Sequence, residues 1–200
     1  PQFYKQMAMA AGFEKVFEIG PVFRADPSFT SRHNTEFTGY DLEMSFIDSH
    51  HEVMDVEEAV LIEIVTKIKQ VYGDEIKRIF NRELIIPTTS FPRIKFSEVK
   101  EILTQKGITS DKQADLSPEE ERGIGEYAKE KYNSEFVFVI DYPTAGRAFY
   151  SQKYEDNPAL SKTFDLLWNG LEITSGAKRE HRYEELKQNA LDKWINLETI

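Results

Sequence analysis

No cysteine occurs among the 200 residues, which excludes disulfides, thiolate metal sites and cysteine nucleophiles and agrees with a reducing compartment. No apolar run approaches the ~20 residues of a membrane span, and the opening PQFYKQMAMA lacks the apolar core of a secretory signal. The expectation is a soluble, cytoplasmic chain without membrane contact. A basic excess is also lacking: 25 Lys and Arg stand against 35 Asp and Glu, a formal net charge of -10. Any contact with nucleic acid is therefore local and carried by a loop. Neither GxxxxGK[ST] nor GxGxxG occurs, which removes the common phosphate-binding turns, and no nucleophile-elbow signature supports Ser-His-Asp chemistry.

What is present is one domain's worth of apolar residues, 40% of the chain, enough for a substantial core. QFYKQMAMAAG predicts a helix over about 2–11 that ends at Gly12. VFEIGPVFR, residues 16–24, predicts a strand, with Pro21 at a bulge or an edge. After the polar loop ADPSFTSRHNT, a period of two from Glu36 to Ile47 puts Phe37, Gly39, Asp41 and Glu43 on one face and Thr38, Tyr40, Leu42 and Met44 on the other. Residues 50–72 recur apolar at helical spacing, with a stop expected at Gly73. PTTSFPR reads as a connector. SEVKEILTQKG and SPEEERGIGEYAKEKY read as helices, the second with Ser117 as N-cap and Pro118 in its first turn. Residues 135–143 form a buried strand, AFYSQKYE another, and KTFDLLWNGLEITSG a hairpin turning at Asn169-Gly170. Residues 180–190 read as helix. Paired strands, rather than strict strand–helix alternation, give an α+β domain with an antiparallel sheet.

The second hairpin carries the clearest chemistry. A two-residue turn sets Leu167 opposite Glu172 and leaves Asp165 on the same face, so the two carboxylates become diagonal neighbours. Two hard oxygen donors without histidine or cysteine suit Mg²⁺ held with phosphates, although solvated surface acids produce the same pattern. Arg179, beyond the strand end, has the planar fork of a carboxylate or phosphate clamp. In the first hairpin Arg24 can clamp an anion, Arg32 and His33 can reach phosphates from the loop, and Phe37 can stack on a base. A purely structural account pairs Arg24 with Glu43 and puts Phe37 in the core. Adjacent His50 and His51 do not face together at a helix start, so they read as helix-end polarity and not as a metal site.

FRADPSFTSRHNTEFTGYDLEM resembles motif 2 of the class II aminoacyl-tRNA synthetases, in the aspartyl branch of archaeal and eukaryotic type. PQFYKQ resembles that family's SPQ-x-x-KQ segment, and FDLLWNGLEITSGAKREH its FDL-x-x-x-G-x-E-I-x-SG-x-x-R-x-H segment. The resemblance implies a class II synthetase-like antiparallel sheet flanked by helices, with about residues 74–134 as a helical insertion or peripheral region. It implies that Arg24 holds the α-phosphate of ATP and the amino acid carboxylate, that His33 approaches the γ-phosphate, and that Phe37 stacks on adenine. The loop between would reach the tRNA acceptor end. Gln2 would contact L-aspartate, and Lys5 and Arg179 would take its side-chain carboxylate. Asp41 would serve the ammonium group, Ser175 and Gly176 would line the pocket, and Asp165 and Glu172 would hold Mg²⁺ with ATP.

Asp26 stands on the ATP side where the family usually has glutamate, and Lys178 where glutamine is common. The dimer-forming motif 1, the anticodon-binding barrel and motif 3 find no counterpart, so a central catalytic fragment of a homodimeric enzyme is expected. The implied reaction is aspartate activation by ATP followed by transfer to tRNA. An asparaginyl or adenylate-forming paralogue, or a non-catalytic synthetase-like module, is the alternative.

Overall fold

The computed structural model describes residues 2–25, 34–88 and 90–199. The chain divides into two compact units, one up to Asp48 and one from Ser49 onward.

The first unit holds helix α1 (Gln2–Ala10) and strands β1 (Lys15–Phe23) and β2 (Glu36–Met44). Helix formers fill α1, and Gly12, at φ +98°, supplies the left-handed stop that other residues adopt at a cost. The strands pair antiparallel without a break from Lys15↔Met44 to Phe23↔Glu36. The period-two reading therefore holds: Phe37, Gly39, Asp41 and Glu43 share a face with their partners Val22, Gly20, Glu18 and Val16. Pro21 is paired with Thr38 without a bulge; in a two-stranded sheet every strand is an edge, where a missing N–H is tolerated.

The second unit is a four-stranded sheet in the order β3-β4-β5-β6, built from β3 (Arg93–Lys95), β4 (Phe136–Ile140), β5 (Thr163–Trp168) and β6 (Leu171–Ala177). β4, β5 and β6 are antiparallel, while the short β3 adds parallel to β4. Every residue of β4 is buried, and its alternation feeds two cores. Val137 and Val139, with Tyr142 and Leu167, pack against helices α3 (Phe96–Gln105) and α4 (Pro118–Tyr132) through Val99, Leu103 and Ile124. Phe136, Phe138 and Ile140, with Phe164 and Leu166, pack against helix α2 (His50–Phe80) through Met54 and Val65. Helix α5 (Tyr183–Asp192) follows the sheet.

Two expectations are corrected. α2 does not stop at Gly73 but runs on to Phe80 and ends at Asn81, which adopts φ 52°. One helical glycine costs about 1 kcal/mol, and the helix formers after it, with Arg78 3.6 Å from Glu75, carry propagation past it. Residues 148–155 form no strand. Ser151 bridges Arg179 and Lys153 bridges Ser161 as isolated pairs, because the segment's backbone bonds alternate between Lys178 on one side and Leu160 and Lys162 on the other. β3 was missed because three residues carry no period.

Both long helices begin with a capping box, Ser49 with Glu52 and Ser117 with Glu120. Glu120, 1% exposed, also accepts from Lys100 Nζ at 2.6 Å and Ser110 Oγ at 2.7 Å. Burial pushes its carboxyl up, but the bonds from Lys100, the Ser117 backbone and Ser110 outweigh it and hold the group below its ordinary 4.5. Glu120→Gln is expected to cost about 3 kcal/mol, because it removes one partner of a buried pair. A depressed folded-state pKa gives stability that is full above pH 4.5 and lost as pH falls through the folded value. Urea denaturation should therefore show a gap between variant and wild type at pH 7 that narrows in acid.

The β5–β6 turn falls at Asn169-Gly170 as expected and is of type I′, with Asn169 at φ 54° and Gly170 at φ 74°. It lies directly on the backbone of α4. A Cβ on Gly170 would fall 2.7 Å from Arg122 Cα, and one on Gly125 would fall 2.6 Å from Gly170 N. The GIG of α4 is a close-packing seam.

Candidate functional site

In the first unit, Lys5 reaches from α1 to Asp41 on β2, Nζ to Oδ2 3.0 Å. Lys5 is 7% exposed, and a buried ammonium requires an anion. The register sets Glu18 opposite Asp41, so the strand face that Lys5 meets carries two carboxylates. Just beyond β1, the Arg24 N–H donates to Thr35 O at 2.9 Å, closing the mouth of the hairpin. Its guanidinium lies 5.5 Å from the centre of the half-buried Phe37 ring. The alternative Arg24–Glu43 pair is out of reach: Glu43 pairs with Val16 at the far end of the hairpin, about 20 Å along the strand from Phe37. The Gln2 side chain, Asp26, Arg32 and His33 lie outside the described residues.

In the second unit, Leu167 pairs with Glu172 as the two-residue turn requires. A bulge between Leu166 and Leu167 then shifts the register, so that Asp165 faces Ser175 and not Thr174. The extra residue brings the Ser175 hydroxyl onto the carboxylate face, a re-aiming that bulges commonly perform. Asp165 is 3% exposed, and both its oxygens accept from Arg147, Nη1 to Oδ1 at 2.9 Å and Nη2 to Oδ2 at 2.6 Å. The guanidinium of Arg147 lies 3.6 Å from the centre of the Tyr142 ring. Burial, with the Asp165 charge beside it, pushes the Tyr142 phenol well up, so it stays neutral. Glu172, which keeps solvent contact, is pushed up to about 7 by desolvation and by the charges of Asp165, Glu121 and Asp115, with Arg147 pulling the other way.

On the other face of β6, Gly176 pairs with Phe164 so closely that an added Cβ would lie 2.2 Å from Cζ of that ring. Gly176→Ala is expected to lower stability by about 1–3 kcal/mol through overpacking, visible as a lower midpoint in thermal melts. Thr174 donates to Glu57 of α2, whose carboxyl is pushed up to about 7 by burial, partly opposed by that bond. Arg179 lies over Tyr150, guanidinium to ring centre 4.6 Å. His50 is more than helix-end polarity. It is 1% exposed, 3.5 Å from Asp141, and stacked on Phe164.

Among the described residues no three His, Cys, Asp or Glu side chains converge as a metal cage, and Mg²⁺ bound with phosphates needs only one or two carboxylates. The donor set fits such an ion. Glu172 keeps solvent contact, and beyond desolvation its carboxyl is raised by the neighbouring acids Asp165, Glu121 and Asp115. Each Asp165 oxygen accepts a bond from Arg147, and a carboxylate with about four lone-pair sites has acceptor capacity beyond that.

Sequence reasoning missed Arg147, Tyr142 and the acids Asp115 and Glu121. Arg147 follows the turn residues 143–146, where no periodicity assigns a face. Among the described residues no helix is long and apolar enough to cross a membrane.

The chain spans less than half the length of the relatives it matches. An aspartate–tRNA(Asp/Asn) ligase of Aeropyrum pernix is 42% identical over 208 residues, covering 100% of this chain and 46% of that protein. A solved aspartyl tRNA synthetase from Entamoeba histolytica superposes with a TM-score of 0.91 at 39% identity, over 100% of this chain and 42% of its own. An asparaginyl-tRNA synthetase from Pyrococcus horikoshii, solved with asparaginyl-adenylate, gives 0.85 at 30% identity, over 98% of this chain and 45% of its own. The family described as tRNA synthetases class II (D, K and N) matches residues 1–199, and with all but one residue inside that match the chain belongs to the class II tRNA synthetases of the D, K and N group.

Proposed function

We propose that the chain supplies the substrate-binding core of an aspartate–tRNA ligase, which converts L-aspartate and ATP into aspartyl-adenylate with release of pyrophosphate, and then passes the aspartyl group to the 3′ end of tRNA with release of AMP. The observation that carries this reading is the Lys5–Asp41 pair. A buried ammonium beside a carboxylate complements a ligand that bears both a side-chain carboxylate and an α-ammonium group. A neutral amide side chain would leave Lys5 poorly compensated, which favours aspartate over asparagine. The relatives named for aspartate agree.

In this reading Gln2 contacts the amino acid and Asp41 its ammonium group, while Lys5 and Arg179 are assigned to the side-chain carboxylate and Ser175 to the pocket wall. Arg24 aligns the carboxylate with the α-phosphate and offsets charge as the displacement proceeds. Phe37 stacks on adenine, and Asp26, Arg32 and His33 meet the nucleotide from the loop. Asp165 and Glu172 would hold Mg²⁺, which when bound neutralises phosphate charge. The reaction needs alignment and charge compensation more than proton transfer, in keeping with a residue set rich in clamps. The whole chain is assigned to one partial catalytic domain, with about residues 74–134 as a helical insertion or peripheral region, in a cytoplasmic homodimer.

The test is amino-acid-dependent ATP–pyrophosphate exchange by the full-length protein. Exchange with aspartate and none with asparagine is expected. Exchange with asparagine alone would make it the asparaginyl paralogue, and none with either would make it a non-catalytic module.

A further inference from the structure

Arg147 stands outside the roles just assigned, yet its surroundings are built. The turn before it, Thr144–Gly146, is pinned from several sides. The Thr144 N–H donates to Ala159 O at 2.8 Å, its hydroxyl donates to Pro158 O at 3.0 Å, and Lys193 Nζ donates to Ala145 O at 2.7 Å. Gly146 sits so tightly on Ala114 that a Cβ would fall 2.5 Å from the Ala114 carbonyl oxygen. From this fixed backbone the guanidinium lies over the Tyr142 ring, and its fork matches the Asp165 carboxylate bond for bond. Such bidentate geometry fixes orientation as well as charge, which a lysine ammonium does not.

We propose that Arg147 is a positioning residue for the cation site. It holds the Asp165 carboxylate in one rotamer through its two bonds, so that Asp165 and Glu172 accept a divalent cation with ATP in a single arrangement. The proposal rests on the ligase reading, since it takes Asp165 and Glu172 to be the residues that meet the metal. Arg147 acts through Asp165 and touches no substrate. A merely structural ion pair would affect stability and leave metal affinity alone.

The experiment measures Mn²⁺, a spectroscopic stand-in for Mg²⁺, binding to the full-length protein with saturating ATP, by electron paramagnetic resonance, alongside thermal melts. The variants are R147K, R147M, D165N and the double variant R147K/D165N. R147K keeps charge and volume, so its melting temperature is expected to stay near wild type while Mn²⁺ affinity falls about tenfold. R147M, which leaves Asp165 buried without a partner, is expected to lose both. The double variant should bind Mn²⁺ no more weakly than D165N alone, because the two residues act as one unit. R147K binding Mn²⁺ as tightly as wild type, or losses in the double variant that multiply, would overturn the proposal while leaving the ligase reading intact. A wild-type protein that binds no Mn²⁺ with ATP would overturn both.

Discussion

Arg24→Ala in the full-length protein is expected to lower aspartate-dependent ATP–pyrophosphate exchange by about 10²–10³-fold in kcat, the usual cost of removing one preorganised group that meets developing charge. Stability should hardly move, and the structure says why. The Arg24 contribution to the hairpin is its backbone N–H, bonded to Thr35 O, and alanine keeps that bond. What alanine loses is the contact with the Phe37 ring, worth about 0.5–1 kcal/mol at an exposed site. A large kinetic loss with a near-native melting curve is thus the signature to look for. Arg24→Lys should recover only part of the rate, because a point charge cannot hold a carboxylate and a phosphate with one planar fork. Unchanged exchange in Arg24→Ala would remove the residue from the reaction.

Lys5→Met is expected to act on substrate choice. Truncating one member of a buried charge pair costs about 2–4 kcal/mol, so the KM for aspartate should rise by about 30- to 1000-fold. Binding of asparagine, whose amide never needed the ammonium, should change far less. Two effects work together. The ligand's carboxylate loses its cation, and Asp41, which faces Glu18 across the hairpin, loses the ammonium 3.0 Å away. Equal losses for aspartate and asparagine would mean that Lys5 supports the hairpin and does not read the side chain. Comparing the two amino acids in one exchange assay decides between these outcomes.

Local chemistry made much of this legible from sequence. Asn169-Gly170 marked a two-residue turn, the turn set Leu167 against Glu172, and a period of two sorted Asp41 and Phe37 onto one face of β2. Helix starts were equally plain where Ser117 and Pro118 announced them. The rest depended on groups that meet only in the fold. Gly73 looked like a stop because it is a stop in isolation; the good helix formers beyond it were the deciding context. Arg147 and Asp165 are 18 residues apart, and no spacing rule links a turn arginine to a strand acid. The bulge that turns Ser175 toward Asp165 left no mark on the alternation, and the cluster of Asp115, Glu121 and Glu172 joins three separate segments.

For protein engineering, the glycine contact between α4 and the β5–β6 turn closes a door. Hairpin tips are the ordinary choice for splicing in an epitope, a fluorophore loop or a new terminus, since they usually face solvent. Here Gly170 rests against Arg122 and Gly125 against Gly170 with no space for even one methyl group. An insertion at Asn169-Gly170 would pry a helix from the sheet edge that carries Glu172, and a tag meant to be silent would report as a destabilised fold.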